Sequence, residues 1–314
     1  MLTFLGFTLN GVDQGDHSGT SVSGAGDING DGLDDLIIGA PEAETNNNLL
    51  NYPGESHVVF GSDQGFPANF ELSNLNGSNG FTLKGVGESS KSGHSVSDAG
   101  DVNGDGFDDL VIGAPYSGSV VGESYVVFGS DQGFPANFEL SNLNGSNGFT
   151  LNGVDNLNYS GASVSGAGDI NSDGLDDLIV GADDAEESYV VFGSDQGFPA
   201  NFNLSSLNGS NGFTLKGIGE TDFFSDISVS GAGDVNGDGT NDLMLGQRAQ
   251  TPTALRMLEK ATLFLATRKA FLLALMFPHL TAVTASLLKG LMKMITPVPL
   301  SVVQETSMMM ALMT

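Results

Sequence analysis

Residues 26–41 read GDINGDGLDDLIIGAP. The same text returns as GDVNGDGFDDLVIGAP at 100–115, GDINSDGLDDLIVGAD at 168–183 and GDVNGDGTNDLMLG at 233–246. The first aspartates of the copies, Asp27, Asp101, Asp169 and Asp234, stand 74, 68 and 65 residues apart. A second text, FGSDQGFPANFELSNLNGSNGFTL, occupies 60–83 and recurs unchanged at 128–151, with a close copy at 192–215. A period of this size marks an array of supersecondary units, none of which buries its apolar faces alone.

Each unit reads as four short strands. In the second copy they are Gly80–Val86, His94–Ala99, Asp109–Ala114 and Glu123–Phe128, rich in β-branched and aromatic residues and bounded by Gly, Asn and Asp. Leu110-Val111-Ile112 is continuously apolar, as in a strand covered on both faces. Residues 129–148 are a polar excursion holding Phe134, Phe138, Leu140 and Leu143, expected as a loop against the outer edge of a blade. No helical period appears before residue 250. Four strands per unit predict an all-β fold, a partial β-propeller over residues 1–246. Its units fall at 4–80, 81–148, 149–212 and, incompletely, 213–246.

The Asp-rich element has the form D-x-N-x-D-G-x-x-D. In the first copy it offers the side chains of Asp27, Asn29, Asp31 and Asp35 and the carbonyl of Leu33. The second offers Asp101, Asn103, Asp105 and Asp109 with the Phe107 carbonyl, and the third Asp169, Asn171, Asp173 and Asp177 with that of Leu175. The fourth offers Asp234, Asn236, Asp238 and Asp242 with that of Thr240. Oxygen donors at alternate positions suit a hard cation taking six or seven of them, which favours Ca²⁺ over Mg²⁺ and predicts four sites. Gly32 would supply the positive-φ turn. A plain Asp/Asn/Gly turn accounts for one such element. Four in register argue for a cation, since clustered carboxylates repel unless neutralised. Position twelve excludes an EF-hand: it is Ile38, Ile112, Val180 or Leu245, inside an apolar run, where the EF-hand needs Glu.

DxNxDGxxD succeeded by DLIIG and by Gly39-Ala40-Pro41 or Gly113-Ala114-Pro115 resembles the FG-GAP repeat, which builds the seven-bladed propeller of integrin α subunits and occurs in bacterial surface and secreted proteins. The resemblance covers residues 4–246. The "FG" element is weakened to Ser18-Gly19, Ser92-Gly93 and Ser160-Gly161 and is Ser225-Asp226 in the fourth copy, and the third copy ends in Asp183 where Pro is expected. The three serines are read as turn residues. The resemblance implies Ca²⁺ at the four donor sets, and binding or adhesion to an extracellular protein or glycan.

Residues 1–246 carry 36 acidic side chains against three basic ones, a net charge of −33 that excludes nucleic acid as a partner. The absence of Cys excludes a disulfide framework and a thiolate site. Met1–Gly6 lacks the charged and apolar regions of a signal peptide, so an extracellular or surface location implies a true start upstream of this chain. The expectation is a non-enzyme: no G-x-S-x-G or HExxH occurs, and His17, His57, His94 and His279 recur in no common constellation. The alternatives are a structural spacer in a repetitive exoprotein, favoured by near-verbatim copies, and a hydrolytic propeller. An incomplete ring would expose edges and faces and so favour self-association.

Residues 247–314 differ in kind: seven basic and two acidic side chains, one Gly and eight of the ten Met, with no repeat. Read literally, this is a helical or disordered segment whose Ala270–Leu288 stretch carries no Asp, Glu, Lys or Arg, long enough for a membrane span but interrupted by Pro278 and His279. A displaced reading frame explains more. With codon boundaries moved back one base, the Met codons of Met308–Met313 become aspartate codons compatible with another cation loop. Leu280–Gly290 decodes as LNGSNGFTIKG, matching Leu207–Gly217 with one Ile/Leu change. Glu259–Leu265 decodes as GESYVVF, matching Gly122–Phe128. The composition change at 246 is therefore read as a frame boundary.

Overall fold

Side chains alternate along a strand, so the run Asp35–Ala40 must send Ile37 and Ile38 to opposite faces. Both are buried. That requires cover on each side: the next blade covers Ile37, while Ile38 packs with Val59 and Leu72 and with the partly buried Leu9 and Phe70. The computed structural model describes residues 6–44, 51–183, 187–216, 225–250 and 257–266, all within one compact unit, Met1–Pro278.

Strand β1 is Thr8–Asn10. The first blade is built from β2 (Ser21–Gly26), β3 (Asp35–Ala40) and β4 (Glu55–Val59). The chain then makes a short strand, β5 (Asn69–Glu71), before returning as β6 (Gly80–Lys84). The second blade repeats this with β7 (Ser95–Gly100), β8 (Asp109–Ala114), β9 (Glu123–Val127), the short β10 (Asn137–Glu139) and β11 (Gly148–Asn152). The third has β12 (Ser160–Gly168), β13 (Asp177–Ala182), β14 (Glu187–Val191), the short β15 (Asn201–Asn203) and β16 (Gly212–Lys216). The fourth shows β17 (Ser225–Gly233), β18 (Asp242–Gln250) and β19 (Met257–Phe264). Among the described residues one turn of α-helix, Ser117–Val120, interrupts the all-β pattern.

The blades are antiparallel meanders, as the sequence predicts, but their phase differs from that of the sequence repeat. Gly80–Lys84, which opens the second sequence unit, pairs antiparallel with β4 and is the outer strand of the first blade. The excursion at 129–148 is more than a loop. Its β10 adds parallel to β6, and Leu140–Asn142 forms a 3-10 turn. In the same way β5 lies on β1 and β15 on β11. Each unit therefore straps the outer edge of the blade before it. The strap carries a phenylalanine that stacks at the outer strand: Phe134 on Phe81 with centroids 4.2 Å apart, Phe198 on Phe149 at 4.2 Å, and Phe66 on Phe7, the residue before β1, at 4.3 Å.

Successive blades pack face to face. Ile37, Val58 and Phe81 of the first share a core with Val96, Ile112 and Tyr125 of the second. Val102, Val126 and Phe149 of the second pack with Val164, Val180 and Tyr189 of the third. Inner strands are stitched by serine: Ser21, Ser95 and Ser163 Oγ accept the amides of Val96, Val164 and Val229, each at 3.0 Å. Backbones also approach closely. A Cβ on Gly39 or Gly113 would lie 2.0 Å from the carbonyl oxygen of Gly93 or Gly161. Ser92 and Ser160, expected in turns, are fully buried at these contacts. The outer face of the first blade is open at β2: Val22 is 67% exposed, whereas its equivalents Val96, Val164 and Val229 are 5–6% exposed.

Of the 247–314 segment, residues 247–250 and 257–264 are strand. β18 runs past residue 246, and β19 pairs with it through Leu243↔Phe264, Met244↔Leu263 and Leu245↔Thr262. The second blade pairs Leu110↔Val127, Val111↔Val126 and Ile112↔Tyr125. This is the same register that the displaced frame assigns to Glu259–Leu265. The Ala270–Leu288, Leu280–Gly290 and Met308–Met313 readings lie outside the described residues.

Candidate metal centre

Each D-x-N-x-D-G-x-x-D element spans the connection from the first to the second strand of its blade, so the four loops occupy equivalent positions. The residue before the first Asp is a glycine held at positive φ (Gly26, Gly100, Gly168 and Gly233, +58 to +69°), where β-carbon-bearing residues are strained. Gly32, Gly106, Gly174 and Gly239 also have positive φ, +85 to +94°, with open space around them. Their role is conformational: they turn the chain back over the first Asp.

The loop side chains are organised by their own backbone. Asp27 accepts the amides of Asp31 (3.0 Å) and Gly32 (2.8 Å), Asn29 Oδ1 that of Asp31 (2.8 Å), and Asp31 Oδ1 that of Leu33 (2.9 Å). Asp101, Asn103 and Asp105 repeat the pattern, as do Asp169, Asn171 and Asp173. In the fourth loop Asp234 and Asp238 keep it, while Asn236 turns its Nδ2 towards Asp242 at 3.3 Å. In the fourth loop the Gly239 amide foremost holds Asp234 below the ordinary carboxylate range.

The last aspartate of each set behaves differently. Asp35, Asp109, Asp177 and Asp242 are fully buried at the base of the loop. Asp109 joins the loop to the end of β9 by accepting the amides of Val102 (3.0 Å) and Gly129 (2.9 Å). Asp177 does the same with Ile170 and Gly193, each at 2.9 Å, and Asp242 with Val235 (2.9 Å) and Ala266 (2.8 Å). Asp35 accepts Gly61 at 2.7 Å, and its Oδ2 is buried without a hydrogen-bond partner. Burial pushes Asp35 up to about 7 and Asp109 and Asp177 up to about 8, against the pull of those amides. A buried carboxylate with unused lone pairs is stabilised by a cation.

The donor set is thus all oxygen, charged, and ordered along one turn, with an orphaned buried carboxylate oxygen beneath the first loop. It fits a hard cation in chemistry. Among the described residues no three carboxylate or imidazole side chains converge on one point. The three outer donors face backbone amides and must rotate to meet a cation.

The described histidines take no part in the loops. His57 is buried against Thr82 with Nδ1···Oγ1 at 3.2 Å, His94 lies edge-on to Tyr116, and exposed His17 faces Glu42 at 3.3 Å. The reading from sequence missed the residue beside the buried aspartate. Asp108 Oδ2 accepts the Asp27 amide (2.7 Å), and Asp176 Oδ2 the Asp101 amide (3.0 Å), each reaching into the blade before its own. Only the paired Asp-Asp and the Gly-Asp at the loop start hinted at it.

Comparison with known proteins agrees with this architecture. The FG-GAP repeat model matches residues 18–50, 95–127 and 160–192. Integrin alpha-5 of Xenopus laevis is 30% identical over 189 residues, 60% of this chain and 17% of that protein. Integrin alpha-4 of the same species is 33% identical over 182 residues, 58% of this chain and 16% of that protein. The phosphatidylinositol-glycan-specific phospholipase D of Bos taurus is 33% identical over 165 residues, half of this chain and 17% of that protein. The chain therefore spans under a fifth of the length of these curated relatives. No helix among the described residues is long and apolar enough to cross a membrane.

Proposed function

From a chain that carries FG-GAP repeats and is similar to integrin α subunits, we propose a calcium-stabilised β-propeller module that binds an extracellular protein or glycan at the cell surface or in secreted form. The observation that carries the calcium part is the buried aspartate repeated under every loop, of which Asp35 keeps an oxygen without a partner. Ca²⁺, when bound, would supply a positive charge held by the side chains of Asp27, Asn29, Asp31 and Asp35 and the Leu33 carbonyl, and by their counterparts in the other loops. The chain's own part is to present these oxygens on one turn and to join that turn to two strands. The module acts without catalysis in this reading: the loop carboxylates accept backbone amides, and the described histidines stand apart from them.

Binding to the folded state alone raises stability by mass action, about 2.7 kcal/mol at a hundredfold excess over Kd. Thermal melting with calcium and with chelator tests this. An unchanged melting temperature refutes calcium binding. Binding of the full chain to glycan and matrix-protein arrays in calcium tests the adhesive part, and a spacer would bind nothing. The open face at Val22 is read as an association surface for a further blade or a second copy.

A further inference from the structure

The cation loops do not belong to single blades. Asp27, the first donor of loop one, is held at both backbone atoms by the second blade: its amide donates to Asp108 Oδ2 (2.7 Å) and its carbonyl accepts the Asp108 amide (3.4 Å). The next residue, Ile28, gives its carbonyl to the Ser130 amide of the same blade at 2.8 Å. The arrangement recurs one blade on. Asp101 is held by Asp176 through Oδ2 (3.0 Å) and through the amide (3.1 Å), and Val102 by Ser194 (2.8 Å). Room for the reaching carboxylate exists because the loop begins with glycine. A Cβ on Gly26 would lie 2.1 Å from Asp108 Oδ2, and one on Gly100 2.2 Å from Asp176 Oδ2.

At the third junction the reaching residue is Asn241. Its amide donates to the Asp169 carbonyl at 3.2 Å, and its Nδ2 is the atom nearest the Gly168 Cβ position, at 1.7 Å. The charge that the first two junctions place on the loop is missing there.

We propose that Asp108 and Asp176 are positioning residues for the calcium loop of the preceding blade, making loops one and two two-blade sites and loop three a weaker version. The proposal rests on the calcium reading of these loops. The carboxylate fixes the amide of the first donor by a charge-assisted bond, which is stronger than the neutral bond an asparagine makes. With that amide and carbonyl fixed, the backbone of the first donor is in place before the cation arrives and only its side chain has still to turn, which lowers the ordering cost of binding. Calcium affinity then depends on blade packing, and a blade that loses its successor loses grip on its cation.

The test is hydrogen–deuterium exchange by mass spectrometry on the full chain, read separately in the four loop peptides across a calcium titration. Asp108→Asn is expected to move the calcium midpoint of loop one upward about fivefold, the difference between a charged and a neutral acceptor. Loops two to four should hold theirs. Asp34→Asn is the control, because it removes the same charge at the same place in a loop without reaching a described preceding loop. It should move no midpoint. In chelator, Asp108→Asn should also speed exchange of the Asp27–Gly32 amides. An unmoved loop-one midpoint, an equal shift in all loops, or a like shift from Asp34→Asn overturns the proposal. A wild-type chain with no calcium response in any loop overturns the calcium reading and the affinity claim with it. The chelator comparison then decides the positioning claim by itself.

Discussion

His57 gives the clearest energetic handle on this fold. It occupies in β4 the position that Tyr125 and Tyr189 occupy in the next two blades. There the phenol donates to a glutamate two residues earlier, Glu123 at 2.7 Å or Glu187 at 2.8 Å. His57 is 1% exposed and bonded to Thr82, and Glu55 of its own strand pairs with Lys84 of β6. Burial first, and the Lys84 charge second, push its pKa down from 6.5 to about 4. The unfolded chain takes up a proton near pH 6.5 that the folded chain refuses until about pH 4. Stability is therefore full above the unfolded value and is lost as pH falls between the two. The whole gap is worth about 3 kcal/mol, and between pH 7.5 and 4.5 about 2.5 kcal/mol is lost. His57→Tyr removes the titration and offers Glu55 the phenol that its counterparts accept. Urea denaturation of both proteins at the two pH values, at one fixed calcium level, should show the variant losing about 2.5 kcal/mol less than the wild type on acidification. The loop aspartates with raised pKa titrate in both proteins and cancel in the comparison. Equal losses would refute the account of His57 as a buried neutral imidazole.

The strap stacking makes a second prediction: Phe149→Ala, at a fully buried ring, should cost about 3–5 kcal/mol in urea denaturation, and Phe198→Ala, only partly buried on the same stack, less. Blade position predicts that Val22→Asp costs under about 1 kcal/mol, whereas Val96→Asp, buried at the equivalent place, costs about 3 kcal/mol or more because it buries an unpaired carboxylate. The shared register of β19 and β9 predicts that the nucleotide sequence over Glu259–Leu265, read one base earlier, spells GESYVVF. Codons that spell anything unlike the repeat refute the displaced frame.

Much of this architecture was legible in the chain. DLIIG announced a strand covered on both faces, and Ile37 and Ile38 are buried on opposite sides. DxNxDGxxD placed the candidate donors and their glycine turn, because those constraints act within nine residues. The blade phase was not legible. Gly80–Lys84 looks like the start of a unit, yet it closes the blade before, since strand order depends on which edge the chain meets after the strap. Nor was the strap itself: NFE is too short to announce a strand and becomes one only when β6 or β11 lends it partners.

The Asp-Asp pair holds both lessons. Local order along the chain determined that two carboxylates would stand side by side at the start of the second strand, and strand alternation that they would point to opposite sides. What Asp108 and Asp109 each hold was settled by folding at long range. Asp109 turns into its own blade and ties loop to strand, while Asp108 crosses to Asp27, 81 residues away in sequence. A hydrogen bond over that separation exists only after two blades have packed, because the apolar faces of the blades, and no local preference, bring the two residues together.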